Sequence, residues 1–201
     1  MTISLDDALK NLKKVHNIDS HVLVSKSVMF STMLDWDRKY LRRCETLIKQ
    51  HGDDLKNKTN LQSAMTAWDY CLLEPHFNPL LNSILQKFEK IMDHGALDKL
   101  ELWSCWGAYY NKDDYAIRHD HKEAEWSFVY YVNVEKGSSS FDIHEDFEPF
   151  PAPASVKIEA ETNRLIIFRG HTQHSVSPQK GDGERVVIAG NIYCPKPDSF
   201  K

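Results

Sequence analysis

The sequence has 201 residues, of which 41% are hydrophobic and 27% are charged, and its formal net charge is −4. This length predicts a single domain, and the slight acidic excess argues against nucleic-acid binding as the main task. No apolar run approaches the roughly 20 residues of a membrane span, and the acidic N-terminus lacks the apolar core of a secretory signal. The four cysteines form no closely spaced pair. We therefore expect a cytoplasmic protein with no nucleic-acid or membrane partner.

The first half of the chain has helical periodicity. Apolar residues recur every three or four positions in three segments, which predicts helices over residues 4–15, 33–50 and 79–92. A short strand is predicted over residues 21–29, and the polar residues 51–60 predict a loop. Residues 1–98 should therefore form a mainly helical support.

From Leu100 onward the apolar period changes to two, which is typical of strands. The predicted strands, separated by glycines and prolines, span residues 100–106, 126–134, 138–143, 155–159, 164–168, 174–176 and 184–193. Helices followed by about seven short strands indicate a mostly β fold with helices (α+β), in which the helices pack on one face of a β-sandwich or open barrel. No linker divides the chain, so residues 99–194 are predicted to be the β core of one domain.

Candidate metal ligands occur in two separate segments. His119, Asp120 and His121 are consecutive, and His174 lies about fifty positions downstream. Residues two apart in a strand project to the same face, so His119 and His121 would point together and Asp120 away from them. With His174 they would make a three-point metal site; histidines in a polar surface turn are the alternative. His171, which follows a glycine, is predicted to lie in a turn at the rim.

Arg185 is the second unusual residue, because it begins an apolar predicted strand. Burying a guanidinium is costly unless the group is paired. Its planar set of donors suits a carboxylate. That carboxylate could belong to a bound molecule or to the neighbouring Glu184 or Asp182.

These residues, together with Tyr130-Tyr131-Val132-Asn133, resemble the iron(II)- and 2-oxoglutarate-dependent oxygenases, whose fold is a double-stranded β-helix (jelly roll). The tyrosine pair is similar to a strand of prolyl-hydroxylase-type members, and the His-x-His motif is similar to uncharacterised members from bacteria and phages. The resemblance covers roughly residues 102–193. It implies Fe(II) and 2-oxoglutarate as cofactors, dioxygen as co-substrate, and hydroxylation of a small-molecule or peptide substrate, for example peptidyl or free proline.

The resemblance also implies roles for individual residues. His119, His121 and His174 would be the catalytic metal ligands, while Arg185, Tyr131 and Tyr110 would bind the co-substrate. The usual ligand set is two histidines and one carboxylate, so His121 stands where the carboxylate is expected. A second ligand set has a carboxylate oxygen from Glu123 or Asp120, with His121, Glu123 and His174 as the preferred form.

Two other functions fit the same residues. One is a cupin-like jelly roll that binds a metal or another ligand without oxygenase activity. The other is a metal-free β-sandwich whose histidines are incidental. Arg185 discriminates between these functions, because only a carboxylate co-substrate requires it. The large aromatic residues Trp106, Tyr109 and Trp126 are expected either at the mouth of the barrel or in its core.

Overall fold

The computed structural model describes residues 19–22, 28–92, 100–135, 140–145 and 154–193, so the predicted helix over residues 4–15 lies outside the described residues. The helices are α1 (Arg38–Gln50), α2 (Tyr70–Leu73) and α3 (Asn78–Met92), with a 3-10 turn at Pro75–Phe77 before α3. The strands are β1 (Asp19–Val22), β2 (Val28–Met33), β3 (Leu61–Gln62), β4 (Ala64–Met65), β5 (Glu101–Tyr110), β6 (Tyr115–His119), β7 (Trp126–Val134), β8 (Ser140–Glu145), β9 (Ala154–Glu159), β10 (Arg164–Arg169), β11 (His174–Val176) and β12 (Arg185–Tyr193).

Two antiparallel sheets face each other. The large sheet has seven strands in the order β1-β2-β10-β7-β12-β5-β4, and the small sheet has five in the order β3-β6-β11-β8-β9. Alternate residues of each strand point between the sheets, as the pleat requires, and they form a core that includes Trp106, Phe141, Ile143, Ile166 and Phe168. This arrangement confirms the predicted jelly roll with flanking helices.

The helices lie against the outer face of the large sheet. Ile84 and Phe88 of α3 belong to a second core that also contains Trp126 and Phe128 of β7. The rings of Phe88 and Trp126 meet edge to face with centroids 5.2 Å apart. Because both faces of the large sheet are covered, its central strands are buried along most of their length.

The predicted helix over residues 33–50 is five residues too long at its start. Met33 instead ends β2 and pairs with Arg164 of β10. Asp37 is the N-cap, and its carboxylate accepts hydrogen bonds from the backbone N–H groups of Lys39 and Tyr40 at 2.9 and 3.0 Å. Pairing with a strand that is more than a hundred residues away therefore overrides the local helical pattern.

The predicted strand over residues 21–29 is also corrected, because the structure has two strands there. β1 and β2 pair antiparallel, with Val22 opposite Val28. The N-terminal half also supplies β3 and β4, which pair with β6 and β5. These two-residue strands are too short to produce a periodic pattern in the sequence. Residues 28–92 therefore contribute strands to the two sheets in addition to the predicted helices.

Most strands of the second half lie where the sequence predicts them. Those over residues 126–134 and 174–176 agree at both ends, and the others differ by a few residues. Of the predicted strands, β5 differs most, because it pairs with β12 along its whole length and continues to Tyr110. The strand β6 is not among the predicted strands. The loop predicted over residues 51–60 is confirmed as a series of turns and bends.

Candidate metal and co-substrate site

The three candidate histidines meet where β6 and β11 lie side by side in the small sheet. His119 is the last residue of β6 and pairs directly with His174, the first residue of β11. His121 lies just beyond β6 and is outside the strand that its assumed orientation required. A backbone hydrogen bond of 2.7 Å from its N–H to the carbonyl of Gly170 turns it back toward the other two histidines.

The geometry of this cluster suits a metal ion. One ring nitrogen from each of His119, His121 and His174 lies within 4.8 Å of the other two. Ring centroids are 4.1 Å apart for His119 and His174, and 5.2 Å apart for each pair that includes His121. Among the described residues, these three form the one group of histidine, cysteine or carboxylate side chains that could hold a metal.

Two of the histidines have a defined tautomer. Nδ1 of His119 lies 2.7 Å from the carbonyl oxygen of Ile117, and Nδ1 of His174 lies 2.9 Å from that of Thr172. A carbonyl oxygen only accepts, so each Nδ1 carries the hydrogen and donates it. The lone pair of each Nε2 is thereby left for a metal, which is the usual arrangement of histidine ligands.

All three imidazoles are held in the neutral form that binds metal. Burial lowers the pKa of His121 to about 4, and the nearby His119 acts in the same direction against Asp120. Burial also lowers the pKa of His119 and brings that of His174 well below its ordinary value. Because a metal requires the unprotonated nitrogen, burial prepares these side chains for binding at neutral pH.

Neither of the candidate carboxylates joins the histidine cluster. The carboxylate of Asp120 accepts a hydrogen bond from the side-chain amide of Gln173, and Glu123 is exposed. The oxygen of that amide accepts from Nε of Arg118 at 3.2 Å. Gln173, which directly precedes His174, therefore contacts both residues that flank His119. We name these three side chains, Arg118, Asp120 and Gln173, the outer clamp.

Arg185 points into the pocket that the histidines line. It is the first residue of β12, opposite Tyr110 of β5, and only 1% of it is exposed. Its guanidinium lies over the ring of Tyr110 at 4.1 Å from the centroid. Of the neighbouring carboxylates named above, Glu184 forms an ion pair with Lys49, and Asp182 forms one with Lys112.

Tyr131 lines the same pocket as Arg185, whereas its neighbour Tyr130 faces the helices. Burial raises the pKa of Tyr131 to about 12, although the positive charge of Arg185 opposes the rise. Burial raises the pKa of Tyr110 as well. Both phenols therefore stay protonated at neutral pH and keep a hydrogen to donate.

These side chains surround one partly enclosed pocket. Its lining includes all six candidate site residues: Tyr110, His119, His121, Tyr131, His174 and Arg185. The imidazoles and the guanidinium thus face the same space, between the two sheets. A metal held by the histidines and a carboxylate held by the arginine would therefore face the same pocket.

Other predicted residues are divided among the pocket, the core and the surface. Trp106 lines the pocket and stacks on His121, with ring centroids 5.9 Å apart. Trp126 and Tyr109 lie on the helical face of the large sheet. His171 is exposed in a turn, as predicted.

Sequence reasoning missed several residues that shape the site. Phe141 and Phe168 pack against the ring of His174 at centroid distances of 5.1 and 4.8 Å. Gln173 of the outer clamp was not recognised either. Its position next to His174 was the available signal, but its partners lie more than fifty residues away in the sequence.

The segment that carries the site matches a known protein family. Residues 104–191 match a family model described as "Putative 2OG-Fe(II) oxygenase". This segment is therefore similar to 2OG-Fe(II) oxygenases. It contains all six candidate site residues, and the resemblance inferred from the sequence is confirmed. The cofactors of this enzyme family are iron and 2-oxoglutarate, which agrees with the histidine cluster and the buried arginine.

Solved structures support the oxygenase fold. The chain superposes on a prolyl-4-hydroxylase from Pseudomonas putida with a TM-score of 0.63 and 13% identity, covering 94% of this chain and 98% of that one. A viral collagen prolyl hydroxylase from Paramecium bursaria Chlorella virus-1, in complex with 2OG, has a TM-score of 0.55 and 17% identity over 81% and 94% of the two chains. HygX from Streptomyces hygroscopicus, with nickel and 2-oxoglutarate bound, superposes with a TM-score of 0.61 and 9% identity, covering 95% of this chain and 87% of that one. A search of curated proteins finds no match.

No helix in the described part of this chain is long and apolar enough to cross a membrane.

Proposed function

We propose that this protein is an iron(II)- and 2-oxoglutarate-dependent dioxygenase that hydroxylates a peptidyl or free amino acid, such as proline. The observation that carries this proposal is the shared pocket. Three neutral imidazoles and a buried guanidinium line one space between the sheets. A metal site alone would explain the histidines, and the guanidinium in the same pocket adds a group that complements a carboxylate.

Each side chain has a role that follows from its chemistry. His119, His121 and His174 hold the metal through one ring nitrogen each. Arg185 binds the terminal carboxylate of 2-oxoglutarate, because its charge and planar donors complement that group. Tyr131 donates its hydroxyl hydrogen to the same carboxylate, which its raised pKa permits.

The pocket also protects the reaction. Phe141 and Phe168 hold the ring of His174 in position and keep water from that side of the metal site. When bound, iron(II), 2-oxoglutarate and dioxygen supply the oxidising power that hydroxylates a C–H bond, with succinate and carbon dioxide as the other products. The protein contributes placement, charge compensation and a dry cavity.

Anaerobic titration with iron(II) and then 2-oxoglutarate tests this function. We expect a weak visible charge-transfer band when both are bound, and slow succinate formation once oxygen is admitted. Arg185→Ala should abolish the band at moderate 2-oxoglutarate concentrations, since the co-substrate loses its anchor, and His174→Ala should abolish it by removing a ligand.

His171→Ala is the matched control, because His171 is an exposed histidine of the same segment. It should keep the wild-type band and the wild-type rate of succinate formation. Absence of both signals in the wild-type protein would refute the oxygenase function. Metal binding that is indifferent to 2-oxoglutarate and to Arg185 would instead favour the cupin-like alternative.

A further inference from the structure

An open cleft lies beside the metal site. Its lining includes His121, Trp68 and Trp103. His121 also lines the inner pocket. The open cleft and the inner pocket therefore meet at one of the candidate metal ligands.

The two tryptophans of the cleft are unusually exposed for their type: 42% of Trp68 and 54% of Trp103 are accessible. Tryptophan is normally highly buried, and exposed apolar patches often mark binding sites. Exposing two tryptophan rings to water has an unfavourable free energy, which a ligand that covers them would remove.

A β-bulge directs Trp103 into the cleft. In the pairing of β12 with β5, Asn191 lies opposite Ser104, but the next residue, Ile192, lies opposite Leu102. Trp103 is therefore the extra residue of the bulge. Such bulges are common at barrel rims and next to active sites, where they redirect a side chain.

Aromatic contacts connect the cleft to the metal site. Trp68 meets Trp106 edge to face with ring centroids 4.8 Å apart, and Trp106 in turn stacks on His121 at 5.9 Å. The backbone carbonyl of Trp68 accepts a hydrogen bond of 2.9 Å from the N–H of Cys105 in β5. These contacts hold Trp68 at a defined position relative to His121.

The polar groups of the cleft suit an uncharged ligand. Lys122 and Glu123 carry opposite charges and are both exposed. The amide of Asn191 donates to Oγ of Ser104 at 2.9 Å. Having accepted that bond, the Ser104 hydroxyl can donate its own hydrogen to a ligand carbonyl.

We propose that this cleft is the substrate site and that it takes an uncharged, extended peptide segment whose rings lie on Trp68 and Trp103. This inference rests on the proposed oxygenase function. Aromatic-lined grooves bind proline-containing segments in the polyproline II conformation, because such segments lose little entropy on binding. A free amino acid carries two charges and would fill only part of the cleft.

The test uses a capped, uncharged ten-residue peptide of alternating proline and alanine, labelled for fluorescence anisotropy. Protein loaded with nickel(II) and 2-oxoglutarate prevents turnover during the measurement. The wild type should bind the peptide saturably, and free proline should not displace it at equal concentration. Trp103→Ala and Trp68→Ala should each weaken binding at least about tenfold, as loss of an aromatic anchor does.

Two further variants separate recognition from folding. Trp103→Phe keeps an aromatic face and should retain most of the affinity. Leu73→Ala removes an apolar side chain that is 72% exposed and does not line the cleft, so it should bind as the wild type does. The alanine variants should also keep the anaerobic band with iron(II) and 2-oxoglutarate, which shows that the inner pocket is intact.

Failure of this inference is distinct from failure of the proposed function. A wild type that forms the band but does not bind the peptide overturns the peptide assignment. Equal peptide affinity of the wild type, Trp68→Ala and Trp103→Ala overturns the assignment of this cleft as the peptide site. A missing band contradicts the oxygenase function, and anisotropy with the metal-free protein then still decides whether the cleft binds a peptide.

Discussion

At the scale of single residues, His121 has the largest consequence for the chemistry of the metal. It occupies the position at which the resemblance leads one to expect a carboxylate, so the three candidate ligands carry no charge. A divalent metal would then keep its full +2 charge and attract an anionic co-substrate more strongly. Arg185 lines the same pocket and would offset the remaining carboxylate of that co-substrate.

We expect His121→Ala to weaken metal binding by at least about tenfold, because it removes one of three ligands and the other two remain. Cobalt(II) absorption titrations would measure the change without any need for turnover. His171→Ala is the control and should bind cobalt with wild-type affinity. Unchanged affinity in His121→Ala would mean that another group completes the site.

The outer clamp gives a second prediction at this scale. Gln173→Glu places a carboxylate against that of Asp120, so the two segments that hold the ligands should separate. Loss of an interaction of this kind typically lowers metal affinity about 10–100-fold. Cobalt titration would measure the change, and thermal unfolding of the metal-free protein would report any general loss of stability.

The double variant Asp120→Asn with Gln173→Glu exchanges the positions of the carboxylate and the amide in the outer clamp. The new asparagine can donate to the new glutamate, which still accepts from Arg118. We expect it to recover most of the cobalt affinity that Gln173→Glu loses. A double variant as weak as the single one would contradict a positioning role for the clamp.

At the scale of elements, the site depends on a close approach between the turn after β6 and the turn after β10. Gly170 accepts from the N–H of His121, and its own N–H donates to the carbonyl of Glu125 at 3.1 Å. A Cβ at this position would lie 2.0 Å from the carbonyl oxygen of Ala124. Only glycine allows the two backbones to approach so closely.

Gly170→Ala should therefore displace the backbone that carries His121. We expect loss of stability of about 1–3 kcal/mol from the forced contact, together with weaker cobalt binding. Thermal unfolding and cobalt titration of the same preparation would measure both. Wild-type values in both assays would show that the turn can open without cost to the site.

At the scale of the whole molecule, the large sheet lies between two cores, and only the inner one contains the site. Gly107 of β5 faces α1, where an added Cβ would lie 2.5 Å from Cγ1 of the buried Ile48. The helices thus stabilise the barrel from the side opposite to the histidines. Stability and metal binding should consequently be separable by mutation.

Gly107→Ala should lower stability by about 1–3 kcal/mol through overpacking. For a chain of this length that corresponds to a fall of roughly 2–4 °C in Tm per kcal/mol. Cobalt affinity should stay at the wild-type value. Adding Ile48→Ala should make room for the new methyl group, so the double variant should lose less stability than the sum of the two single variants.

The sequence by itself determined the ligand residue types, the period-two pattern of the β core and the unusual arginine. These features are local: alternation reports which face of a strand is buried, and a buried guanidinium needs a partner wherever it lies. The positions of β7 and β11, and the exposed turn at His171, followed from such local signals.

Only the tertiary structure decided how the site is assembled. His121 lies outside the strand and is directed by a hydrogen bond to Gly170, almost fifty residues away. The carboxylate of Asp120 is bound by Gln173, and Trp103 is the extra residue of a bulge that exists only in the pairing with β12. Long-range pairing sets these orientations, and a pattern read along a single chain carries no information about which distant residue will complete a contact.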